Sequence, residues 1–319
     1  MNGISVRTAT LLALAVIILL APVLFPSSFY YRVGALIFIN GLAAMGLVVL
    51  VGYAGQVSLG HAGFSGIGAY ACALGPVHLG LPPLVCVALG AAVSGLLAFL
   101  VGRPILRLKA HYLAVATLGL GILIYMVINN EGWLTGGPDG MTVPSLGVRS
   151  LLKGYGIKVT SSEMWYWISG VVLLAGAFVA LNLHNSPAGR ALRSLHDSEV
   201  AASTIGIDVA RMKLTAFVIS AVYASVAGSQ VALMNRFVTP DVAGFMHSVE
   251  LLTMTVLGGA ASVLGAVVGA TILTALPQVL TVFEDFEHVL LGLIMMLVMI
   301  FLREGLVPSL ARRMRRSAP

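Results

Sequence analysis

The chain has 319 residues, of which 59% are hydrophobic and only 9% are charged, with a formal net charge of +6 and a mean hydropathy of +1.00. These values exclude an ordinary water-soluble domain and indicate a polytopic membrane protein. The basic excess does not indicate nucleic-acid binding, because the basic residues lie in short loops beside apolar segments, where membrane topology accounts for them.

Apolar segments recur along the chain at lengths that suit membrane crossing. A helix needs roughly 20 apolar residues to span the hydrocarbon core. The sequence therefore predicts an all-α fold with about eight full transmembrane helices, over residues 8–25, 33–51, 57–75, 82–102, 110–128, 164–183, 211–233 and 286–302. We interpret the first segment as a retained span rather than a signal peptide, since no clear small-residue cleavage site follows it.

A further apolar block, 248–282, is too long for one crossing. The glycine-rich run 258–262 divides it into a short and a longer piece. Two interpretations fit this pattern: a half-helix that re-enters the membrane and returns as a longer helix, or two tilted helices packed closely together.

The distribution of Lys and Arg predicts the orientation of the chain. Thirteen of the 18 basic residues fall near the N-terminus, in two short loops and in the C-terminal segment, and we expect all of them on the cytoplasmic side. Both termini are then cytoplasmic, 303–319 forms a basic cytoplasmic tail, and 129–163 forms a structured external loop. We expect the whole chain, 1–319, to form a single transmembrane domain.

The stretch 52–70 carries six glycines within apolar sequence. It also carries polar side chains that a lipid-facing surface would not tolerate cheaply, so we expect it to be buried in protein. Gly60, Gly63 and Gly66 recur every three residues and would let another backbone approach closely. The stretch is either a tight packing seam or part of a translocation path, and its sequence leaves both open.

Two ionisable residues have competing interpretations. His61 fits a packing residue that forms hydrogen bonds better than a proton relay, because no carboxylate lies near it in sequence. Glu250, in apolar sequence just after His247, either lines a path or sits at the outer rim at the start of a helix.

Residues 184–210 predict a cytoplasmic loop with its own amphipathic helix. Ser186 can cap this helix, Pro187 suits its first turn and Gly206 can close it after a body over 188–204. Leu192, Leu195 and Val200 fall roughly on one side. Asp208 is then expected to cap the following span.

The run from Gly52 to Phe64, Gly-Tyr-Ala-Gly-Gln-Val-Ser-Leu-Gly-His-Ala-Gly-Phe, resembles the signature of branched-chain amino acid ABC-transporter permeases of the LivM type. Further matches at 186–219 and 252–270 extend the resemblance over most of the chain. It implies a permease domain in a bacterial inner (plasma) membrane complex that imports branched-chain amino acids or related small solutes such as urea, amides or aromatic acids.

The resemblance also implies the partners and their chemistry. These are a second, homologous permease, two ATP-binding cassette subunits and a periplasmic solute-binding protein that carries most of the selectivity. ATP and Mg would be used by the ATPase subunits, and this chain is expected to bind no cofactor or metal itself. The chain has no Gly-x-x-x-x-Gly-Lys-Ser/Thr phosphate loop and no zinc-protease or hydrolase motif, so we expect it not to be an enzyme.

Functional residues follow from the same resemblance. The segment similar to the one that docks into an ATPase contains Pro187, Gly189, Arg190, Leu192, Arg193, Asp197, Glu199, Ala201, Ala202 and Gly206. At 196–199 it has His-Asp-Ser-Glu where the family often has a basic-acidic run, which leaves individual ion pairs open. Candidates for the translocation path are Gln56, Ser58, His61, Phe64, Ser65 and Glu250. The alternative function is an ion-coupled secondary transporter of a small polar solute that uses Glu250 or His61.

Overall fold

The computed structural model describes residues 6–24, 27–106, 108, 110–147, 159–279, 292, 296 and 305–317. Helices dominate these ranges: α1 (Val6–Leu24), α2 (Ser28–Leu47, continued by π-helical turns over Val48–Tyr53), α3 (His61–Leu79), α4 (Pro83–Ile105), α5 (Ala110–Asn130), α6 (Gly132–Thr135), α7 (Ser161–Asn185), α8 (Pro187–Asp197), α9 (Glu199–Thr204), α10 (Val209–Asn235), α11 (Phe245–Gly258), α12 (Val263–Val279) and α13 (Leu306–Ser317).

A short β-ladder adds a minor element to the predicted all-α fold. Strand β1 (Met141–Thr142) pairs antiparallel with β2 (Phe237–Val238). It ties the predicted loop 129–163 to the segment after α10, and the part of that loop over 148–158 lies outside the described residues.

Five helices in the described ranges are long and apolar enough to cross a membrane. They cover Ser28–Tyr53, Pro83–Ile105, Tyr112–Asn130, Ser161–Asn185 and Val209–Asn235, and shorter apolar helices cover Arg7–Pro22, Phe245–Gly258 and Val263–Gln278. The prediction of a polytopic membrane protein is therefore confirmed. About eight full spans were predicted, and five are found in the described ranges. The predicted span 286–302 lies outside the described residues apart from 292 and 296.

The predicted span 57–75 is displaced along the chain. Residues 54–60 are not helical, and α3 begins at His61 and continues to Leu79, where Gly80 ends it in the left-handed conformation. Just before the predicted span, Gly55 has a φ of 67°, which is incompatible with a right-handed helix and which residues other than glycine rarely adopt, so the chain cannot continue from α2 into α3 as one helix. Apolar periodicity alone did not reveal this interruption.

The block 248–282 divides where the sequence predicted. Helices α11 and α12 have 14 and 17 residues and are joined by residues 259–262. They run antiparallel in close contact: a Cβ on Gly258 would overlap the backbone of Gly265, and one on Gly269 would overlap Met254. Each helix is shorter than the roughly 20 residues of a full span.

Helix α10 occupies the centre of the described bundle. It packs against α2, α3 and α4, while α2 in turn packs against α7 and α12. Local signals define its limits: the Asp208 carboxylate accepts a hydrogen bond from the backbone N–H of Arg211 at the start, and Arg236 adopts the left-handed conformation at the end. The predicted Asp208 cap is thus confirmed.

Candidate functional site

The segment that links α2 to α3, residues 54–60, enters the interior of the protein. The backbone N–H of Gln56 donates to the carbonyl of Leu50 at 3.0 Å, which folds the segment back onto the last turns of α2. Gly60 then lies against the backbone of Thr117 in α5, so closely that a Cβ there would overlap the Thr117 carbonyl. Ala54, Gln56, Ser58 and Gly60 are buried, as the polar composition predicted, whereas Gly55 and Val57 are exposed.

His61 joins this segment to α10 through two short contacts. Its Nδ1 lies 2.8 Å from the Ser58 hydroxyl oxygen, and its Nε2 lies 2.6 Å from the hydroxyl oxygen of Ser220. Both ring nitrogens are engaged, one as donor and one as acceptor in a neutral imidazole. The ring also packs edge-on against Phe64 and Phe217, with centroids 5.8 and 5.9 Å apart. This environment is that of a packing residue whose hydrogen bonds are satisfied.

The other predicted path residues differ in their surroundings. Phe64 and Ser65 are buried in α3 beside α10, and Glu250 lies in the second turn of α11 with its side chain 47% exposed. Glu250 Oε2 is 3.3 Å from His247 Nδ1, within the same helix. Gln56 is only 3% exposed, yet neither of its side-chain amide atoms has a hydrogen-bond partner among the described residues.

Helices α3 and α10 cross at a contact between their backbones. A Cβ on Gly68 would overlap the Ser225 carbonyl, and a Cβ on Gly228 would overlap the Ser65 carbonyl. The Ser229 hydroxyl donates to the Gly68 carbonyl at 2.9 Å across the same crossing. The close backbone approach predicted for Gly60 and Gly63 is made to α5, where the backbone of Gly121 lies near both, and Gly66 packs on Ala243. The crossing with α10 instead uses Gly68, which the predicted three-residue spacing did not include.

The residues of α10 that make these contacts were missed at the sequence level. The order Ser220-Ala221-Val222-Tyr223-Ala224-Ser225-Val226-Ala227-Gly228-Ser229 repeats small residues within an apolar helix. Such a pattern is typical of close helix contacts in membranes and would have marked this face of α10. It does not tell which helix packs there.

The loop 184–210 forms two helices rather than one helix over 188–204. At its start the prediction is confirmed, because the Ser186 hydroxyl accepts the backbone N–H of Gly189 at 3.1 Å and Pro187 occupies the first turn. Ser198 then adopts extended backbone, and its hydroxyl accepts the Ala201 N–H at 3.2 Å to start α9. Serine favours such caps over helix interiors, since its hydroxyl competes for backbone groups.

This break changes which side chains the loop presents. Gly189, Leu192, Leu195 and Ala202 are buried, whereas Pro187, Arg190, Asp197, Glu199, Ala201 and Gly206 are exposed. Val200 does not share the buried side of Leu192 and Leu195 as predicted, because it is 75% exposed. Ile205, which follows α9 directly, is 72% exposed. Arg193 is half-buried, and its guanidinium donates to the His184 carbonyl at 2.7 Å, which holds α8 against the end of α7.

The loop and the glycine-rich stretch meet at one end of the bundle. His196, in the last turn of α8, packs on Gly55, where a Cβ would come within 2.9 Å of the His196 Nδ1. Tyr53, at the end of α2, contacts the ring of His184 with centroids 4.9 Å apart. The two sequence features that we identified separately are therefore in direct contact.

Comparisons with known proteins agree on one family. The family model for the branched-chain amino acid transport system permease component matches residues 30–299. The chain is 35% identical over 285 residues to the high-affinity branched-chain amino acid transport system permease protein LivM of Salmonella typhimurium, which covers 84% of this chain and 67% of the relative. LivM of Escherichia coli is 33% identical over the same shares. LivH of Salmonella typhimurium is 26% identical over 64% of this chain and 66% of the relative.

Proposed function

The chain belongs to the family of branched-chain amino acid transport permease components, a family of ABC permease subunits rather than enzymes, and we propose that it couples solute import to ATP hydrolysis by separate subunits through its 184–210 loop. The observation that carries this proposal is the direct packing of α8 on the 54–60 segment. A movement of the docked loop would there reach the membrane-embedded bundle without a flexible intermediate.

The proposal includes an orientation and a set of partners. The basic loops and both termini face the cytoplasm of a bacterium, as the positive-inside rule favours. The chain pairs with a second, homologous permease, and the similarity to both LivM and LivH supports a heterodimer of related subunits. A periplasmic binding protein delivers the solute, a branched-chain amino acid or a related small molecule.

The exposed surface of α8 and α9 is the docking surface for an ATPase subunit. We define it by Arg190, Asp197, Val200, Ala201 and Ile205, all of which are exposed. Its two large apolar side chains stand among polar neighbours, which is the composition expected at the centre of a protein interface. Arg193 instead stabilises the loop from within, because its guanidinium contacts the His184 carbonyl.

Among the candidates for the translocation path, Gln56 has the surroundings that suit contact with a polar solute. An amide buried without partners is unfavourable unless something else satisfies it. A passing solute that carries both ammonium and carboxylate groups could satisfy its oxygen and its NH₂. Ser58 and His61 serve this role less well, since they are hydrogen-bonded to each other and His61 is also hydrogen-bonded to Ser220.

Val200→Asp tests the docking surface. We expect the variant to insert into the membrane and melt like the wild type, because Val200 is exposed, but to lose co-purified ATPase subunits and ATP-dependent uptake. Leu79→Asp is the matched control: Leu79 is 65% exposed at the far end of α3 from the 54–60 segment, and its substitution should leave ATPase binding intact. Retention of the ATPase subunits by Val200→Asp would refute the proposal.

An ion-coupled secondary transporter is the competing function. It predicts that uptake stops when ionophores collapse the ion gradients while ATP remains. The ABC permease proposal predicts that uptake by the reconstituted complex continues under these conditions and stops when ATP is withdrawn.

A further inference from the structure

Lys213, in the second turn of α10, makes an ion pair that no sequence pattern indicated. Its side chain is 8% exposed, and its Nζ lies 2.5 Å from Oε1 of Glu199, whose side chain is 57% exposed. A buried ammonium group is unfavourable without a partner, so this contact fixes the position of α9 relative to α10.

Helix α10 carries this constraint to the interior. Ser220 lies seven residues after Lys213, which is two helical turns, or about 10 Å, along one face of the helix. There its hydroxyl contacts His61 Nε2 at 2.6 Å. The sequence 209–235 has no proline, and the helix is continuous over these residues, so its two contacts are joined by a stiff element.

The contacts then return to the loop. His61 Nδ1 is 2.8 Å from the Ser58 hydroxyl in the 54–60 segment. Three residues earlier in this segment, Gly55 packs on His196 of α8. From α8 the chain passes directly through Ser198 into α9 and Glu199. The contacts therefore form a closed ring through α9, α10, the 54–60 segment and α8.

We propose that Lys213 and Ser220 are positioning residues that make these four elements move together, so that displacement of the docked loop shifts the 54–60 segment and α3 as one body. This inference rests on the proposed docking of the loop to an ATPase. A ring with one contact removed would let the loop move while α10 stays in place. ATP would then be hydrolysed with less solute transported.

The experiment uses the full complex reconstituted in proteoliposomes and measures ATP hydrolysis and solute uptake in parallel. Lys213→Met and Ser220→Ala each remove one contact of the ring. We expect both variants to hydrolyse ATP while the ratio of solute transported to ATP hydrolysed falls at least about fivefold, the lower end of typical coupling between two sites. Lys213→Arg keeps the charge and should restore most of this ratio.

Thr215→Val is the matched control on α10. Thr215 lies between the two positions, and its hydroxyl donates to the Arg211 carbonyl within the same helix, so the ratio should stay at the wild-type value. An unchanged ratio in both Lys213→Met and Ser220→Ala would overturn the inference, as would a loss of ATP hydrolysis that Lys213→Arg does not reverse. Failure of the docking proposal is distinguishable, because the wild-type chain would then retain no ATPase subunit.

Discussion

Gly68 is the position where one added methyl group should be most informative about the bundle. Its Cβ would overlap the Ser225 carbonyl oxygen and come within 2.6 Å of the carbonyl carbon, whereas ordinary carbon contacts lie at about 3.5–4.0 Å. In Gly68→Ala the α3 and α10 backbones must therefore separate by about 1 Å. Both contacting atoms belong to helix backbones, so no side chain can rotate away to relieve the overlap.

The expected cost has two parts. Overpacking of this kind typically costs about 1–3 kcal/mol. Separation of the helices also stretches the 2.9 Å hydrogen bond from the Ser229 hydroxyl to the Gly68 carbonyl, which contributes about 1 kcal/mol. Together they lower the free energy of unfolding by about 2–4 kcal/mol. The midpoint of thermal unfolding should fall by on the order of 5 °C.

A thiol-reactive dye can measure this midpoint in detergent. Cys72 and Cys86 are both free and buried, so they react when the bundle opens. Gly119→Ala is the matched control, because no atom lies within 4 Å of a Cβ at Gly119 in α5, and alanine there should stabilise the helix by about 0.5–1 kcal/mol. If Gly68→Ala melts at or above the wild-type midpoint, the described helix crossing is wrong.

Two further substitutions test smaller parts of the site. Gln56→Met removes a buried amide that has no hydrogen-bond partner among the described residues, so it should raise the free energy of unfolding by about 1–3 kcal/mol, measured with the same dye. The same substitution should weaken solute uptake. Higher stability with unchanged uptake would exclude contact between Gln56 and the solute. Ser186→Ala removes the N-cap of α8 and should lower the local stability of that helix by about 1 kcal/mol. The loss should appear as faster hydrogen exchange at the Gly189 amide. Unchanged exchange at this amide would show that Ser186 does not cap the helix.

Local chemistry explains which parts of the fold the sequence could predict. The Ser186-Pro187 and Asp208 signals act within three residues, and the structure confirms the helix starts that they predicted. The predicted span 57–75 begins four residues too early, because residues 57–60 are not helical and α3 starts at His61, a shift that does not alter the apolar pattern. Ser198 divided the predicted helix 188–204, since a serine cap within a polar loop resembles any other polar residue in sequence.

Long-range partners could not be predicted in the same way. The spacing of Gly60, Gly63 and Gly66 predicted a close approach, which α5 makes at Gly60 and Gly63. The contact of α3 with α10 depends on the register of two apolar helices more than 150 residues apart in sequence, and no pattern in the sequence indicated it. Apolar helices in a membrane have no polar face to fix that register, and small residues only permit contact. Ser220 and Lys213 are recognised only once α10 is placed.

The position of the His61 contact bears on how the permease works. Neighbouring contacts between α3 and α10 differ in kind: at Gly68 and Gly228 the backbones touch, and at His61 and Ser220 side chains bridge a wider gap. The backbone contacts of Gly68 with Ser225 and of Gly228 with Ser65 resist compression and sliding, whereas the hydrogen bond between the His61 and Ser220 side chains can be broken at modest cost. The His61–Ser220 contact is therefore the weaker of the two connections, and its loss in Ser220→Ala should let α3 and α10 separate next to the segment that α8 contacts while the Gly68 crossing holds.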